Sequence, residues 1–308
     1  MAQKTAVIIP CYNEGKAIAK VVNDFKKVLP EAEIYVYDNN SDDDTAAQAR
    51  RAGAIVRREP RQGKGNVVRR MFADIEADIY VMSDGDETYD IKKTPLLVKE
   101  LRENNLDMVI GSRKEVDLAA YRVGHRSGNL VLTKLVQHFF AYRLEDMLSG
   151  FRVFSKRFVK TFPAQSPGFE IETELTIFAL SSKMPIKEVE TDYFARPAGS
   201  FSKLSTVKDG LRILRTIVML IKEERPLLFF SMLAAVFALL TLICGVPLIE
   251  LYLETGLVPR LPTAVLTAAL MVCSVVSMLV GFVLDSVANS RKETRRQAYL
   301  RYPVVGEE

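Results

Sequence analysis

The chain has 308 residues, 48% of them hydrophobic and 26% charged, with a formal net charge of +4. That composition excludes a disordered chain, and so even a charge balance gives no ground for a nucleic-acid partner. Three scattered cysteines (Cys11, Cys244, Cys273) and two histidines (His125, His138) exclude a disulfide framework, a zinc-finger spacing and a well-supplied serine triad.

The opening "MAQKTAVIIPCYNE" has too short an apolar run for a signal peptide, and an acid follows at once. The first part of the chain is therefore expected in the cytoplasm. Up to residue 115, the apolar runs "TAVIIP", "AEIYVYD", "AIVRRE", "IYVMSD" and "LDMVIGS" read as buried strands. Helical stretches at 14–28, 43–53, 65–76 and 93–104 separate them, and Ser41 or Asp42 is the expected N-cap of the second. Strand–helix alternation with short loops predicts an α/β fold with a mostly parallel, Rossmann-like sheet. Such sheets bind ligands beyond the carboxyl ends of their strands. Those ends carry Asn13, Glu14, Asp38, Asp84, Asp86 and Arg113.

Residues 227–249 and 261–284 contain no charged side chain, and each is long enough to cross the hydrocarbon layer as a helix. Lys203, Lys208, Arg212, Arg215, Lys222 and Arg225 precede the first span; Arg291, Lys292, Arg295, Arg296 and Arg301 follow the second. The loop at 250–260 has Arg260 as its one basic residue, so both ends are expected in the cytoplasm and this loop outside. Before the first span, Val207, Leu211, Leu214, Val218 and Ile221 recur at helical spacing beside a basic stripe of Lys208, Arg212, Arg215 and Lys222. That pattern predicts a helix lying on anionic headgroups. The expected organisation is a catalytic domain at 1–204, interfacial helices at 205–225, a transmembrane hairpin at 226–285 and a cytoplasmic basic tail at 286–308. Small residues on the spans would also allow a homo-oligomer.

The stretch "YVMSDGDETYD" at 80–90 gathers Asp84, Asp86, Glu87 and Asp90 behind an apolar run. An EF-hand loop needs Gly at its sixth position and Glu at its twelfth. Counting from Asp84 gives Tyr89 and Pro95, and from Asp86 gives Ile91 and Leu97, so neither register serves. A solvated turn and a metal-and-phosphate site remain. In "GKGNVVRR" two glycines open a helix, which suits either a diphosphate on its free N–H groups or a close backbone approach.

In order along the chain, "PCYNE" at 10–14, "YDNNSDDDT" at 37–45, "GKGNVVRR" at 63–70, "DGD" at 84–86, "GSR" at 111–113 and "SGFR" at 149–152 resemble glycosyltransferase family 2. The nearest likeness is to its polyprenyl-phosphate branch, that of the dolichyl-phosphate mannose synthases, over about residues 4–204. The resemblance implies a GT-A fold, a nucleotide-sugar donor with UDP favoured over GDP, Mg²⁺ or Mn²⁺, and inversion at the sugar carbon. The acceptor it implies is a polyprenyl phosphate, and the product a lipid-linked monosaccharide made at the cytoplasmic membrane face.

The same resemblance supplies roles. Asp86 would be the direct metal ligand and Asp84 would touch the ribose or the metal's waters, while Thr88 stands where close relatives often carry glutamine. Asp38, Pro10, Tyr12 and Glu14 would frame the nucleoside. Lys64, Arg196 and Lys203 would meet the donor diphosphate, and Arg113, Arg122 and Arg126 the acceptor phosphate. Asp146 would sit near the reacting centre, as base or as positioning group. Glu170 and Glu172 would touch the sugar or form an acid pair at a helix N-terminus. A lipid phosphate is already largely ionised near neutral pH, so a strong base is not obligatory. A processive polysaccharide synthase is disfavoured by the lack of tryptophan and by two spans, and an inactive scaffold by the retained Asp-x-Asp and arginines. Transfer to a soluble acceptor is a further alternative.

Overall fold

The computed structural model describes residues 3–115, 125–140, 142–196 and 206–305, with backbone alone at 115, 125–131 and 206–209. Two compact units emerge, residues 1–217 with 295–308, and residues 218–294.

The first unit is built on seven strands: β1 Thr5–Cys11, β2 Glu33–Asp38, β3 Ile55–Arg58, β4 Ile79–Met82, β5 Met108–Glu115, β6 Arg152–Ser155 and β7 Ile186–Tyr193. Their order in the sheet is β3-β2-β1-β4-β6-β5-β7. Each neighbouring pair is parallel except β4–β6 and β5–β6, so β6 alone runs backwards. The five strands expected from the sequence are present as β1 to β5, but β3, expected to be buried, is the edge strand and is largely exposed. Helices α1 Ile18–Val28, α2 Thr45–Arg51, α3 Lys64–Asp74 and α4 Thr94–Glu103 return the chain between them. On one face Val7, Ile9, Val36, Val81, Val109 and Val153 meet Ile18, Val22, Phe25 and Leu101. β-branched side chains at χ1-restricted strand positions suit that pleated, fully covered surface. On the other face a chain of rings runs from Phe72 through Phe154 and Phe158 to Phe162 and Phe178.

Reversal of β6 has a consequence for the site. Arg152, its first residue, pairs with Met82 and Ile110 on the flanking strands. The loop that enters β6 therefore joins the carboxyl ends of the parallel strands. Beyond β5 come α5 His125–Phe140, α6 Lys156–Thr161 and α7 Ile171–Ser181.

The amphipathic helix and the two apolar spans expected towards the end of the chain are α8 Thr206–Glu224, α9 Pro226–Thr255 and α10 Leu261–Tyr299. On α8, Leu211, Leu214 and Val218 are exposed, as an interfacial stripe requires. Ile221, assigned to that stripe from the sequence, is instead buried with Ile213 and Ile217. The helix thus carries two apolar faces, which a single-stripe reading merges. Within the second unit, α9 and α10 are long and apolar enough to cross a membrane and are largely exposed along their apolar stretches. Ser274 Oγ donates to the Ala234 carbonyl at 2.9 Å, and a Cβ on Gly281 would lie 3.0 Å from Phe230 Cβ. Small residues bring these two backbones together, as in membrane helix pairs. α9 ends on Gly256 in the left-handed region, whose N–H caps the Tyr252 carbonyl at 2.8 Å.

Residues from 295 onward, in the basic tail, group with the first unit. Tyr299, only 8% exposed, donates its hydroxyl to Asp107 Oδ2 at 2.8 Å. Asp107 is fully buried at the start of β5 and also accepts from Ser155 Oγ at 2.7 Å and from Arg157 Nε. Arg157 and Arg296 both lie over the Tyr299 ring.

Candidate active site

One side of the candidate site starts where β1 and β2 end. Pro10 pairs with Tyr37 inside the sheet, and Asp38 closes β2. Asp38 is buried, and its Oδ1 has no hydrogen-bond partner. A buried, unpaired carboxylate oxygen is costly, and a ligand hydroxyl or N–H would satisfy it. The β1–α1 and β2–α2 loops interlock beside it. Asn13, at φ 54°, donates its N–H to Ser41 Oγ at 2.9 Å and accepts the Asp42 N–H at 2.8 Å. Glu14, also buried, donates its N–H to Thr45 Oγ1 at 2.8 Å. The expected N-caps Ser41 and Asp42 thus meet Asn13 through the Ser41 hydroxyl and the Asp42 N–H, and neither caps α2. The N-cap of α2 is Asp44, which makes no side-chain cap bond; Asp43 Oδ1 accepts the Thr45 N–H at 3.0 Å in the turn that leads into the helix.

Asn39 was not singled out from the sequence, yet it organises the next loop. Its Nδ2 donates to the carbonyls of Glu59 and Arg61, each at 2.8 Å, and its Oδ1 accepts the Gly63 N–H at 2.7 Å. The polar run after Asp38 was the available signal. Gly63 sits at φ +127°, a conformation that favours glycine. The α3 N-terminus that follows does not offer free N–H groups to a diphosphate. Gly65 and Asn66 donate theirs to the carbonyls of Gly168 and Pro167, both at 3.2 Å. A Cβ on Gly65 would lie 1.9 Å from the Ser166 carbonyl oxygen. The glycines serve the close backbone approach, the other option left open by the sequence.

That packing delivers Lys64 to the Asp84 carboxylate and to Glu172 Oε1, the latter at 2.6 Å. Burial alone would lower the Lys64 pKa; the two carboxylates outweigh it and hold the ammonium charged. Glu172 is buried as well, which pushes its own carboxyl up against the pull of Lys64. Asp86 is 3% exposed. Its Oδ1 accepts the Thr88 hydroxyl at 2.7 Å, and its Oδ2 meets Arg196 at 2.6 Å. Burial and neighbouring Asp84 raise the Asp86 carboxyl, while Arg196 and Thr88 oppose them. Thr88 therefore acts here by fixing the Asp86 rotamer. Glu87 turns the chain between them at φ 62°.

The other side of the candidate site is assembled by β5, β7 and the reversed strand's entry loop. Arg113 forms a two-pronged pair with Asp146: Nε to Oδ2 at 2.6 Å and an η-nitrogen to Oδ1 at 2.7 Å. Its guanidinium lies 5.4 Å from the Tyr193 ring centroid. Such a planar fork fixes direction as well as charge. Arg152 of "SGFR" is wholly buried and structural. It donates to the carbonyls of Ser149 and Met147 at 2.8 and 2.6 Å, and burial lowers its pKa to about 10. Gly150 donates its N–H to the Tyr89 hydroxyl at 2.8 Å. A Cβ there would lie 2.8 Å from Asp84 Oδ2 and 2.9 Å from Lys64 Nζ. The backbone at Gly150 thus packs the loop that carries Asp146 against Asp84 and Lys64.

Of the remaining expected residues, Arg122 and Lys203 lie outside the described residues, and Arg126 falls in α5 where only the backbone is described. Tyr12 is half-buried at the end of β1. Glu170, buried at the N-cap of α7, pairs with Arg212 of α8 at 3.1 Å.

A mostly parallel sheet with one reversed strand, and an Asp-x-Asp loop beyond its fourth strand, define a glycosyltransferase of the GT-A fold. The glycosyl transferase family 2 model matches residues 6–162, and the chain belongs to that family. Protein RfbJ of Shigella flexneri is 62% identical over 122 residues, 39% of this chain and 95% of that protein. The dolichyl-phosphate hexose transferase of Haloferax volcanii is 28% identical over 221 residues, 71% of this chain and 95% of that one. Glucosyl-3-phosphoglycerate synthase of Mycobacterium tuberculosis, solved with Mn²⁺, UDP and glucosyl-3-phosphoglycerate, has a similar fold. It superposes with a TM-score of 0.58 at 22% identity, over 72% of this chain and 80% of that one.

Proposed function

We propose that the protein transfers one sugar from a nucleotide sugar, with UDP favoured, to a polyprenyl phosphate at the cytoplasmic face of a membrane. The observation that carries this reading is the contact at Gly150, where the loop bearing Asp146 abuts Asp84 and Lys64. That contact supports a reading in which the Arg113–Asp146 pair serves a phosphate and the neighbouring carboxylates serve a donor and its metal. The dolichyl-phosphate acceptor of the Haloferax relative and the UDP and Mn²⁺ of the fold neighbour support the same assignment. The exposed Leu211, Leu214 and Val218 of α8 and the apolar α9 and α10 support a lipid acceptor.

Asp84 and Asp86 suit a hard divalent cation, which characteristically takes one or two carboxylates and fills its shell with phosphates and water. Among the described residues no group of three or more His, Cys, Asp or Glu converges as an all-protein cage would. A bound Mg²⁺ or Mn²⁺ would neutralise charge on the departing nucleoside diphosphate. Asp38 would accept from the nucleoside, with Pro10, Tyr12 and Glu14 around it. Lys64, Arg196 and Lys203 would face the diphosphate. Three carboxylates (Asp84, Asp86, Glu172) here meet two cations (Lys64, Arg196). A divalent cation with a doubly charged diphosphate would leave that balance unchanged. Arg113, with Arg122 and Arg126, would hold the acceptor phosphate. Its oxygen attacks the anomeric carbon as the bond from that carbon to the diphosphate oxygen breaks, which inverts the configuration. Asp146, committed with both oxygens to Arg113, acts as a positioning group in this scheme and not as a base.

The test is a panel of labelled UDP- and GDP-sugars, given to purified protein with polyprenyl phosphate or with a water-soluble phosphate monoester. Label entering the organic phase is the expected result. Label passing only to the soluble ester would overturn the lipid acceptor, and no transfer to either would overturn the reading as a whole.

A further inference from the structure

Glu188 has no role in the scheme above. It lies on β7, in register with Ile110 of β5. Its Oε1 accepts the Asp146 N–H at 3.0 Å, and its Oε2 accepts the Glu145 N–H at 2.8 Å. Both oxygens of one carboxylate thus hold two consecutive backbone N–H groups. Burial raises this carboxyl's pKa, the two backbone N–H groups oppose that, and the neighbouring Asp146 and Glu145 charges add to it. Placing a carboxylate there is therefore costly, and a structural need for an acceptor could be met by water or an amide.

The loop entering β6 is held at other points too. Arg152 holds the carbonyls of Met147 and Ser149, Ser149 Oγ donates to the Gly111 carbonyl at 2.6 Å, and Tyr89 holds Gly150. Those bonds secure residues 147–150. Glu188 takes the two N–H groups immediately before them, one belonging to Asp146 itself. Asp146 spends both side-chain oxygens on the Arg113 fork. A rigid two-point clamp on the Asp146 backbone is thereby carried through a planar pair to the direction of the guanidinium.

We propose that Glu188 is a positioning residue for phosphate recognition: it aims Arg113 by fixing the backbone of Asp146. The proposal rests on the reading of Arg113 as a phosphate ligand. Groups that support a metal ligand from one step away typically alter affinity by about 10- to 100-fold, and the same scale is expected for an arginine held through an ion pair. Glu188 acts on the acceptor more than on the donor, because it holds residues 145 and 146, while residues 147–150, which abut Asp84 and Lys64, are held by Arg152, Ser149 and Tyr89.

The experiment uses the full-length protein with Glu188→Ala and Glu188→Gln, and measures KM separately for lipid phosphate and for nucleotide sugar. Expected is an acceptor KM raised about 10-fold or more in Glu188→Ala, with the donor KM within about 2-fold. Glu188→Gln, which keeps one acceptor oxygen, should fall between; it also carries the test if the alanine variant does not fold. Combining Glu188→Ala with Arg113→Lys should add little to Arg113→Lys alone, since both act through one pair. An unchanged acceptor KM, an equal rise in both KM values, or full additivity would each overturn the proposal. A second readout does not depend on the acceptor: hydrogen exchange in residues 142–151 should quicken in Glu188→Ala, with 33–38 and 79–90 unaltered. Unaltered exchange at 142–151 overturns the clamp, whereas absent transfer by wild type overturns the functional reading instead.

Discussion

Arg196 and Asp86 allow a quantitative prediction about metal binding. The guanidinium lies 2.6 Å from Asp86 Oδ2, with the carboxylate side chain 4% exposed and the arginine 28% exposed. A metal arriving without nucleotide must take that oxygen from Arg196, and then sit beside a cation. Hydrogen bonds to charged groups contribute about 1.5–3 kcal/mol net. At 1.4 kcal/mol per tenfold, Arg196→Gln should tighten Mn²⁺ binding to the nucleotide-free protein by about 10- to 100-fold. Arg196→Lys, which keeps the charge and loses the fork, should lie nearer wild type. With a nucleoside diphosphate present the advantage should shrink or reverse, because the arginine would then have an anionic partner to serve. Mn²⁺ titration followed by electron paramagnetic resonance, or by calorimetry, reads each constant without turnover. Unchanged or weaker Mn²⁺ binding in nucleotide-free Arg196→Gln would refute the idea that metal and arginine compete for Asp86.

Three further outcomes are expected. Gly150→Ala should cut transfer about 100-fold, since its Cβ would displace Asp84 or Lys64 by around an ångström, while thermal melting stays near wild type; retained activity would show that the loop can recede. Gly65→Ala should destabilise the protein by about 1–3 kcal/mol in chemical unfolding, although alanine is the better helix former, because the Ser166 carbonyl leaves no room for a methyl group. Tyr299→Phe should cost about 1–3 kcal/mol by the same measurement, since it removes a donor from fully buried Asp107; unaltered stability would mean that the tail is not anchored there.

Much of the scaffold was legible because its signals are local. Runs such as "TAVIIP" and "AEIYVYD" are apolar enough to be buried on both faces, and they became β1 and β2. The same holds for the charge-free segments that became α9 and α10. Residue types at strand ends pointed to Asp38, Asp84, Asp86 and Arg113 before any contact was known. Partners were not legible. "GKG" was compatible with a phosphate cradle or a close contact, and the answer came from Ser166, Pro167 and Gly168, about a hundred positions away. Ile221 belonged by periodicity to the exposed stripe of α8, yet it is buried.

The sequence by itself determined the strand–helix alternation, the two long apolar helices and the acidic and basic residues available for chemistry, since hydropathy and spacing act over a few neighbouring residues. Only the tertiary structure decided that β6 runs backwards, that Gly150 brings the Asp146 loop against Asp84, and that Glu188 holds Asp146 from the far edge of the sheet. It likewise turned the basic tail into a docked segment through Tyr299 and Asp107. These are pairings between residues many tens of positions apart. Their energies come from burial and from the direction of single hydrogen bonds, quantities that exist only once the chain has closed on itself.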